Sequence, residues 1–265
     1  MAIIIKNRKE IEKIRIASML AAEVLDIIKP YVIPGITTGQ LDKICHTHIV
    51  QKQHAFSACL GYRGFPKSIC VSVNDVVCHG IPNNKQVLKT GDIVNIDVTV
   101  LKNHYHGDTS TMFIVGQTSE TGKKLCEVTK NSLYLALKLV KPGIRLKTLG
   151  KKIQQYVESQ NFSIVREYCG HGIGKNFHEE PQILHYDAED NGIILQPGMT
   201  FTIEPMVNAG EGNIHLMKDG WTVKTKDGSL SAQYEHTVVV IEQGCEILTW
   251  RKDEQIPRII THKSL

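Results

Sequence analysis

The sequence predicts an α+β fold built as two similar halves related by an internal pseudo-two-fold, with antiparallel sheet flanked by helices. Three observations carry that prediction. Val32-x-Pro34-Gly35-Ile36, with Leu41 and Lys43 beyond it, recurs as Val140-x-Pro142-Gly143-Ile144 with Leu149 and Lys151, 108 residues later. Gly91-x-x-x-x-Ile96-Asp97 recurs as Gly198-x-x-x-x-Ile203-Glu204 at an offset of 107, and a His-Gly-Ile triplet stands in each half, at His79 and His171. Matches in one order at nearly one offset point to duplication. Each half also groups its helical patterns ahead of its strand patterns, which is the α+β arrangement. One domain over residues 1–265 is expected, with halves of roughly 1–115 and 116–250.

The elements follow in order. Asn7 with Glu10 forms a capping box, after which Ile11, Ile14, Ser18, Ala21, Leu25 and Ile28 recur at helical spacing until Pro30. Leu125, Val128, Ser132, Ala136 and Leu139 do the same before Pro142. A second helix is predicted after each Pro-Gly turn, over about 38–52 and 146–160. Strand patterns occupy 69–77, 92–100 and 111–115, then 163–167, 199–206 and 234–241.

Composition narrows the function class. With 42% apolar and 22% charged residues, the 265-residue chain can bury one large core or two small ones. Its net charge of +4 is spread along the chain, unlike the concentrated patch of a nucleic-acid binding domain. No apolar run resembles a signal peptide core or a membrane span, so a cytoplasmic protein without membrane attachment is expected. Seven cysteines, with no Cys-x-x-Cys pair, argue for free thiols over a disulfide framework or a zinc knuckle.

The strand at 92–100 places Val94, Ile96, Val98 and Val100 on one face and Asn95, Asp97 and Thr99 on the other, so Asp97 points away from the apolar core. In the matching segment Met199, Phe201, Ile203 and Pro205 are apolar, and Glu204 takes the place equivalent to Asp97. Asp108 and Glu235 stand near threonines in later strand-like segments and form a second candidate pair. Each acid taken alone reads most simply as a solvated strand end. Four converging carboxylates would instead repel one another unless protonated or bound to cations, and a metal pair removes that difficulty. Oxygen-rich ligation with one imidazole suits hard or borderline divalent ions.

Three histidines lie in distinctive settings: His79 in Cys-His-Gly-Ile-Pro, His171 in Gly-His-Gly-Ile-Gly and His178 in Phe-His-Glu-Glu-Pro. Glycines around His171 let the backbone approach a ligand closely. The other nine (His46, His48, His54, His104, His106, His185, His215, His236 and His262) take the default reading of solvated side chains.

Taken together, these motifs resemble the type I methionine aminopeptidases. The resemblance runs through Cys-His-Gly-Ile-Pro at 78–82, Asn-Ile-Asp-Val-Thr at 95–99, Gly-Asp-Thr-Ser at 107–110 and Gly-His-Gly-Ile-Gly at 170–174. It continues through Phe-His-Glu-Glu-Pro at 177–181, Thr-Ile-Glu-Pro at 202–205 and Glu-His-Thr at 235–237, covering nearly the whole chain in order. It implies the duplicated pita-bread fold and removal of the initiator methionine from polypeptides whose second residue is small. It also implies two divalent ions (cobalt, manganese, iron(II) or zinc), bridged by Asp108 and Glu235, with Asp97 on one ion and His171 with Glu204 on the other. By the same resemblance Glu204 accepts a proton, while His79 and His178 hydrogen-bond the scissile amide.

Cys59, Tyr62, Phe65, Cys70, Phe177 and Trp221 match the family's methionine pocket, and sulfur and aromatic surfaces suit a thioether. Some relatives carry tyrosine where this chain has Phe65, which changes the rim of the pocket and leaves the chemistry alone. Asn74, Val76 and Ser231 match a site for sodium or potassium. The implied partners are nascent amino termini met at the ribosome, by a monomer with no nucleic-acid sequence preference.

Several rivals share this fold. Prolidases and aminopeptidases P use the same ligands but carry a large extra amino-terminal domain, for which the 78 residues before His79 leave no space. Type II enzymes insert a long segment between the last two glutamates, which here stand only 31 apart. A non-catalytic binding protein or a metal-free creatinase-like enzyme would have lost ligand acids or His171, and this chain keeps them all.

Overall fold

The computed structural model describes residues 2–189 and 192–261, so His262 lies outside the described residues. Helix α1 (Arg8–Ile28) starts as its sequence dictates. The Asn7 side chain accepts from the N–H groups of Lys9 and Glu10, and the Glu10 carboxylate accepts from the Asn7 N–H, satisfying donors that the first turn leaves open. Ile14, Ala17, Ala21, Val24, Leu25 and Ile28 form its buried stripe. Helix α2 (Thr38–Thr47) is capped by Thr37 with Gln40 and runs on into a wider π-type turn over His48–Lys52, matching the predicted span.

Strands β1 (Phe56–Ser57), β2 (Cys70–Val73) and β3 (Val76–Cys78) follow. The continuous strand expected over 69–77 is broken at Asn74, whose positive φ of 55° turns the chain. β2 stays in the main sheet, whereas β3 joins a separate three-stranded sheet. Strands β4 (Ile93–Lys102) and β5 (Tyr105–Ile114) form the long hairpin of the first half, so β5 starts six residues before the predicted strand. Helix α1 crosses this hairpin closely at Gly107, where a Cβ would come within 2.2 Å of the Ser18 backbone nitrogen.

The second half opens with α3 (Glu120–Leu137) and α4 (Lys147–Ser159), and Leu139 falls just past the end of α3. The predicted strand at 163–167 shrinks to β6 (Ser163–Ile164), and β7 (Gly170–Gly172) and β8 (Glu179–Ile183) follow. The segment 199–206 divides at Glu204-Pro205 into β9 (Thr200–Ile203) and β10 (Met206–Asn208), because proline supplies no N–H to a ladder. Then come β11 (Ile214–Leu216), β12 (Val223–Thr225), β13 (Ser231–Gln233), β14 (Glu235–Ile241), β15 (Gly244–Ile247) and β16 (Ile259–Thr261).

The main sheet runs β1-β4-β5-β14-β9-β7-β8, so the halves meet where β5 pairs with β14. Backbone hydrogen bonds repeat across this junction. Gly35 N donates to Leu88 O and Leu88 N to Ile36 O, each at 2.8 Å, while Gly143 N donates to Leu195 O at 2.9 Å and Leu195 N to Ile144 O at 2.8 Å. Both glycines have positive φ, 95° and 83°, which explains why the Pro-Gly turn recurs in the sequence. Gly91 with Val115 and Gly198 with Val240 repeat a second such pattern, each N–H to O distance being 2.9 Å. Each half has its own core. Val94, Ile96, Val98 and Val100 pack with α1 and α2 on one side, and Phe201, Ile203 and Val238 pack with α3 and α4 on the other. Each such fully buried aliphatic side chain contributes about 1.5–3 kcal/mol.

Candidate active site

Register brings the polar residues onto one face. Opposed residues of an antiparallel pair point to the same side. Asp97 lies opposite Ser110 and Thr99 opposite Asp108, so both aspartates face one way. Glu235 opposes Ser110 from the other half, and the pairing of Thr237 with Thr202 carries that face on to Glu204. His171, on β7, donates its backbone N–H to the Thr202 hydroxyl at 3.0 Å. The apolar alternation of β4, and of β9 continued to Glu204, sets Asp97 and Glu204 away from the two cores, as the strand patterns predict, and strand pairing brings Asp108, Glu235 and His171 to the same face.

The distances are short. His171 Nε2 lies 3.7 Å from Asp108 Oδ2 and 3.8 Å from Glu204 Oε1, and one ligand atom from each of Asp108, His171 and Glu235 falls within 4.8 Å of the others. Neighbouring groups orient these side chains. Thr99 Oγ1 donates to Asp108 Oδ1 at 2.8 Å, Thr202 Oγ1 to Glu204 Oε1 at 2.7 Å and Gln233 Nε2 to Glu204 Oε2 at 3.2 Å. His171 Nδ1 lies 3.0 Å from the Gly172 carbonyl, so Nδ1 carries the proton and the Nε2 lone pair faces the acids. The hydroxyls of Thr109 and Thr237 bond the backbone carbonyls of Glu235 and Asp108, locking the strands that carry the two acids.

Electrostatics shows what this cluster needs. Burial pushes the Asp97 pKa up to about 6, against a hydrogen bond with Asp108 that lowers it. Burial also lifts Glu204 to about 8, opposed by Thr202 and reinforced by the Asp97 charge. Asp108 and Glu235 are pushed well above the carboxylate range, by burial first and then by the other acids. Asp97 Oδ1 and Glu235 Oε1 are buried without a hydrogen-bond partner. Buried acceptors left unpaired beside like charges are costly, and divalent cations would satisfy both needs at once. Four carboxylates and one imidazole thus fit such ions.

These side chains line a cavity of about 410 Å³. Its apolar wall is a small cluster of Cys59, Phe65 and Cys70 with Phe177 and Trp221 against it. Phe65 meets Trp221 edge-on at 5.2 Å, and Tyr62 lies 4.9 Å from Phe177. All six residues expected in the methionine pocket are thus brought together. His79 and His178 also line the cavity. Burial pushes the His79 pKa down to about 4. Partial withdrawal of the ring from water, with His171, His79 and Arg63 nearby, takes His178 down to about 3, although the residue stays exposed at the mouth. The Tyr62 hydroxyl lies 2.9 Å from His178 Nδ1.

Asn74, Val76 and Ser231 gather away from this cavity, where Ser231 N donates to the Asn74 carbonyl at 2.8 Å and Val76 begins β3. Sequence reasoning missed Arg63, Glu167, Tyr168, Cys169 and Met206, which also line the cavity. Position held a faint signal, since residues 167–169 run directly into the Gly-His-Gly motif and Met206 follows Glu204 by two. The default reading of the other histidines needs correction at three positions. His106, His185 and His236 are buried at 9%, 0% and 1% exposure. His185 Nε2 accepts from the Glu204 N–H, His236 bonds Thr249, and His106 stacks on Phe177. His54, His104 and His215 are exposed as expected, and His46 and His48 are half-buried.

Comparison with known proteins decides the family. Residues 12–242 match the model of metallopeptidase family M24. Over 262 residues, and 99% of both chains, the sequence is 68% identical to the methionine aminopeptidase of Salmonella typhimurium. The chain belongs to metallopeptidase family M24, among its methionine aminopeptidases. The solved structure of the methionine aminopeptidase from Rickettsia prowazekii matches at a TM-score of 0.91 and 50% identity, over 94% of this chain and 100% of that one. A prolidase from Pyrococcus horikoshii matches at 0.72 and 23% identity, over 96% of this chain but 65% of its own, and shows the fold alone. This chain is therefore a metal-dependent hydrolase with the duplicated pita-bread fold. None of its described helices is long and apolar enough to cross a membrane.

Proposed function

We propose that this enzyme removes the amino-terminal methionine from newly made polypeptides whose second residue is small, using two divalent ions at the five-residue cluster. The observation that carries this reading is the position of that cluster. Asp97, Asp108, His171, Glu204 and Glu235 stand at one side of the same cavity whose other wall is sulfur and aromatic carbon. In this reading Asp108 and Glu235 would be shared between the two ions, Asp97 would hold one, and His171 with Glu204 would hold the other. When bound, the pair supplies a water-derived nucleophile near neutral pH and stabilises charge that develops on the scissile carbonyl.

The protein's own groups do the rest. Glu204, held by Thr202 and Gln233, accepts the proton released as water attacks and can return it to the leaving amine. His79 and His178 are neutral at pH 7 and hydrogen-bond the scissile amide as its carbonyl gains charge. Tyr62 O–H donating to His178 Nδ1 would keep the imidazole proton on Nε2 for that task. The wall of Cys59, Phe65, Cys70, Phe177 and Trp221 holds the thioether.

Cobalt, manganese, iron(II) and zinc all suit this donor set, and the ion used in the cell depends on supply as well as affinity. The reading includes sodium or potassium beside Asn74, Val76 and Ser231, and a cytoplasmic monomer that meets nascent chains at the ribosome.

The test is hydrolysis of Met-Ala-Ser, Met-Pro-Gly, Ala-Pro-Gly and Met-Lys-Gly by metal-stripped enzyme resupplied in turn with manganese, cobalt and iron(II). Metal-dependent release of methionine only before a small residue is expected. Cleavage of Ala-Pro-Gly would move the enzyme to the proline-directed branch of the fold.

A further inference from the structure

We propose that Lys6, acting through Glu179, is a positioning residue for His178. The inference rests on the reading of His178 as a group that touches substrate. Lys6 belongs to the short arm ahead of α1, a place where a lysine would ordinarily be solvated. Its side chain is instead 3% exposed and that of Glu179 4%, with Nζ 2.5 Å from Glu179 Oε2 and 3.0 Å from the Ile4 carbonyl. The arm is itself anchored, since Lys6 N donates to Gly198 O at 2.9 Å.

Glu179 uses its second oxygen locally. Oε1 accepts from the Asn176 N–H at 3.1 Å and closes the turn 176–179, whose two middle residues are Phe177 and His178. The space for the ion pair comes from Gly174, where a Cβ would lie 2.6 Å from Lys6 Cε and 2.8 Å from Glu179 Oε1. On the far side His106 N donates to the Gly174 carbonyl at 2.9 Å, and the His106 ring stacks on Phe177 at 5.7 Å. The turn is thus held at its base by a charge pair and on its flank by a ring, with His178 presented between Tyr62 and His171.

A buried ion pair is poor at adding stability, because desolvation offsets most of the attraction. It is good at fixing one geometry, and small displacements of a group that meets the reacting bond are expensive in rate. The linkage from arm to turn spans 173 residues of sequence and ends one peptide away from His178.

The experiment is a kinetic double-mutant cycle on metal-loaded enzyme with Met-Ala-Ser. The pair is replaced together, Lys6→Met with Glu179→Gln, so that neither charge is left buried alone, and the change is combined with His178→Ala. Metal content and thermal unfolding are measured on every variant. The paired replacement is expected to keep its metal and lose about tenfold in kcat with KM little changed. Combined with His178→Ala it should be no slower than His178→Ala alone. Lys6→Arg with Glu179 intact, which keeps the charge pair, should retain most of the wild-type rate. Wild-type turnover in the paired variant, or a loss that multiplies fully with that of His178→Ala, would overturn the proposal. Should the paired variant not fold, Glu179→Asp, which keeps both charges but shortens the reach to the Asn176 N–H, carries the same cycle. Full turnover of His178→Ala by itself would instead remove the reading of His178 and this proposal with it.

Discussion

The rings of His171 and His178 lie 4.2 Å apart, centroid to centroid, yet they face different partners. His171 turns Nε2 to Asp108 and Glu204, while His178 turns Nδ1 to the Tyr62 hydroxyl. Two imidazoles in contact are thus set up for different tasks, and substitution should separate them. His171→Ala and Glu204→Ala should lose metal and nearly all activity with the fold retained. His178→Ala and His79→Ala should keep their metal and lose about 100-fold in kcat/KM. Metal analysis beside steady-state kinetics checks this, and loss of metal from a His79 or His178 variant would place those residues among the ligands.

The acid cluster predicts an unusual pH dependence for metal-stripped enzyme. Asp97 rises from an ordinary 3.8 to about 6 and Glu204 from 4.5 to about 8, so the folded state binds these protons more tightly than the unfolded one. That contribution is fully present below the unfolded values and is lost as pH rises through the folded ones. The stripped enzyme should therefore melt at lower temperature at pH 8.5 than at pH 5, with Asp97 alone accounting for about 1.4 kcal/mol over that interval. Divalent metal should remove the difference. Scanning calorimetry at the two pH values, with and without manganese, measures it, and equal melting of the stripped enzyme at both would contradict the crowding of these acids.

The apolar wall should set side-chain specificity. Trp221→Ala opens the edge-on contact with Phe65 and exposes the thioether site to water. Discrimination for methionine over smaller amino-terminal residues should fall by about 10-fold or more, chiefly through KM. Paired assays on Met-Ala-Ser and Ala-Ala-Ser read this directly, and an unchanged ratio would move the methionine side chain to another wall.

Glu246 ties the amino-terminal helix to the end of the chain. Its oxygens accept from Arg15 Nε and NH2 at 3.0 and 2.8 Å and from Arg258 NH2 at 2.8 Å. Burial would raise its pKa, but the two guanidinium groups outweigh that and hold it below the ordinary value. The stabilisation is present above about pH 4.5, the unfolded value, and is lost as pH falls through the folded one. Glu246→Gln should cost about 1–2 kcal/mol at pH 7, less at pH 3.5, and leave activity untouched. Urea unfolding at both pH values tests it, and a gap that widens in acid would contradict the assigned sign.

Much of the molecule is legible in its residue pattern. The recurrence of Pro-Gly turns at 35 and 143 marks two halves, because a turn that needs positive φ constrains residue type locally. Alternation in β4 and β9 sets Asp97 and Glu204 opposite the apolar faces, because a strand's side-chain period is two whatever its neighbour. Short glycine-rich strands such as β7 carry no periodic signal, and the break at Glu204-Pro205 is hidden inside an apolar run. Only the tertiary structure sets β5 beside β14, bringing Asp108 and Glu235 together, and buries His106, His185 and His236. It alone joins Lys6 to Glu179 across the fold. Local periodicity records which face a residue occupies, whereas burial of a polar group depends on what a distant segment brings against that face, and no single stretch of sequence contains that partner.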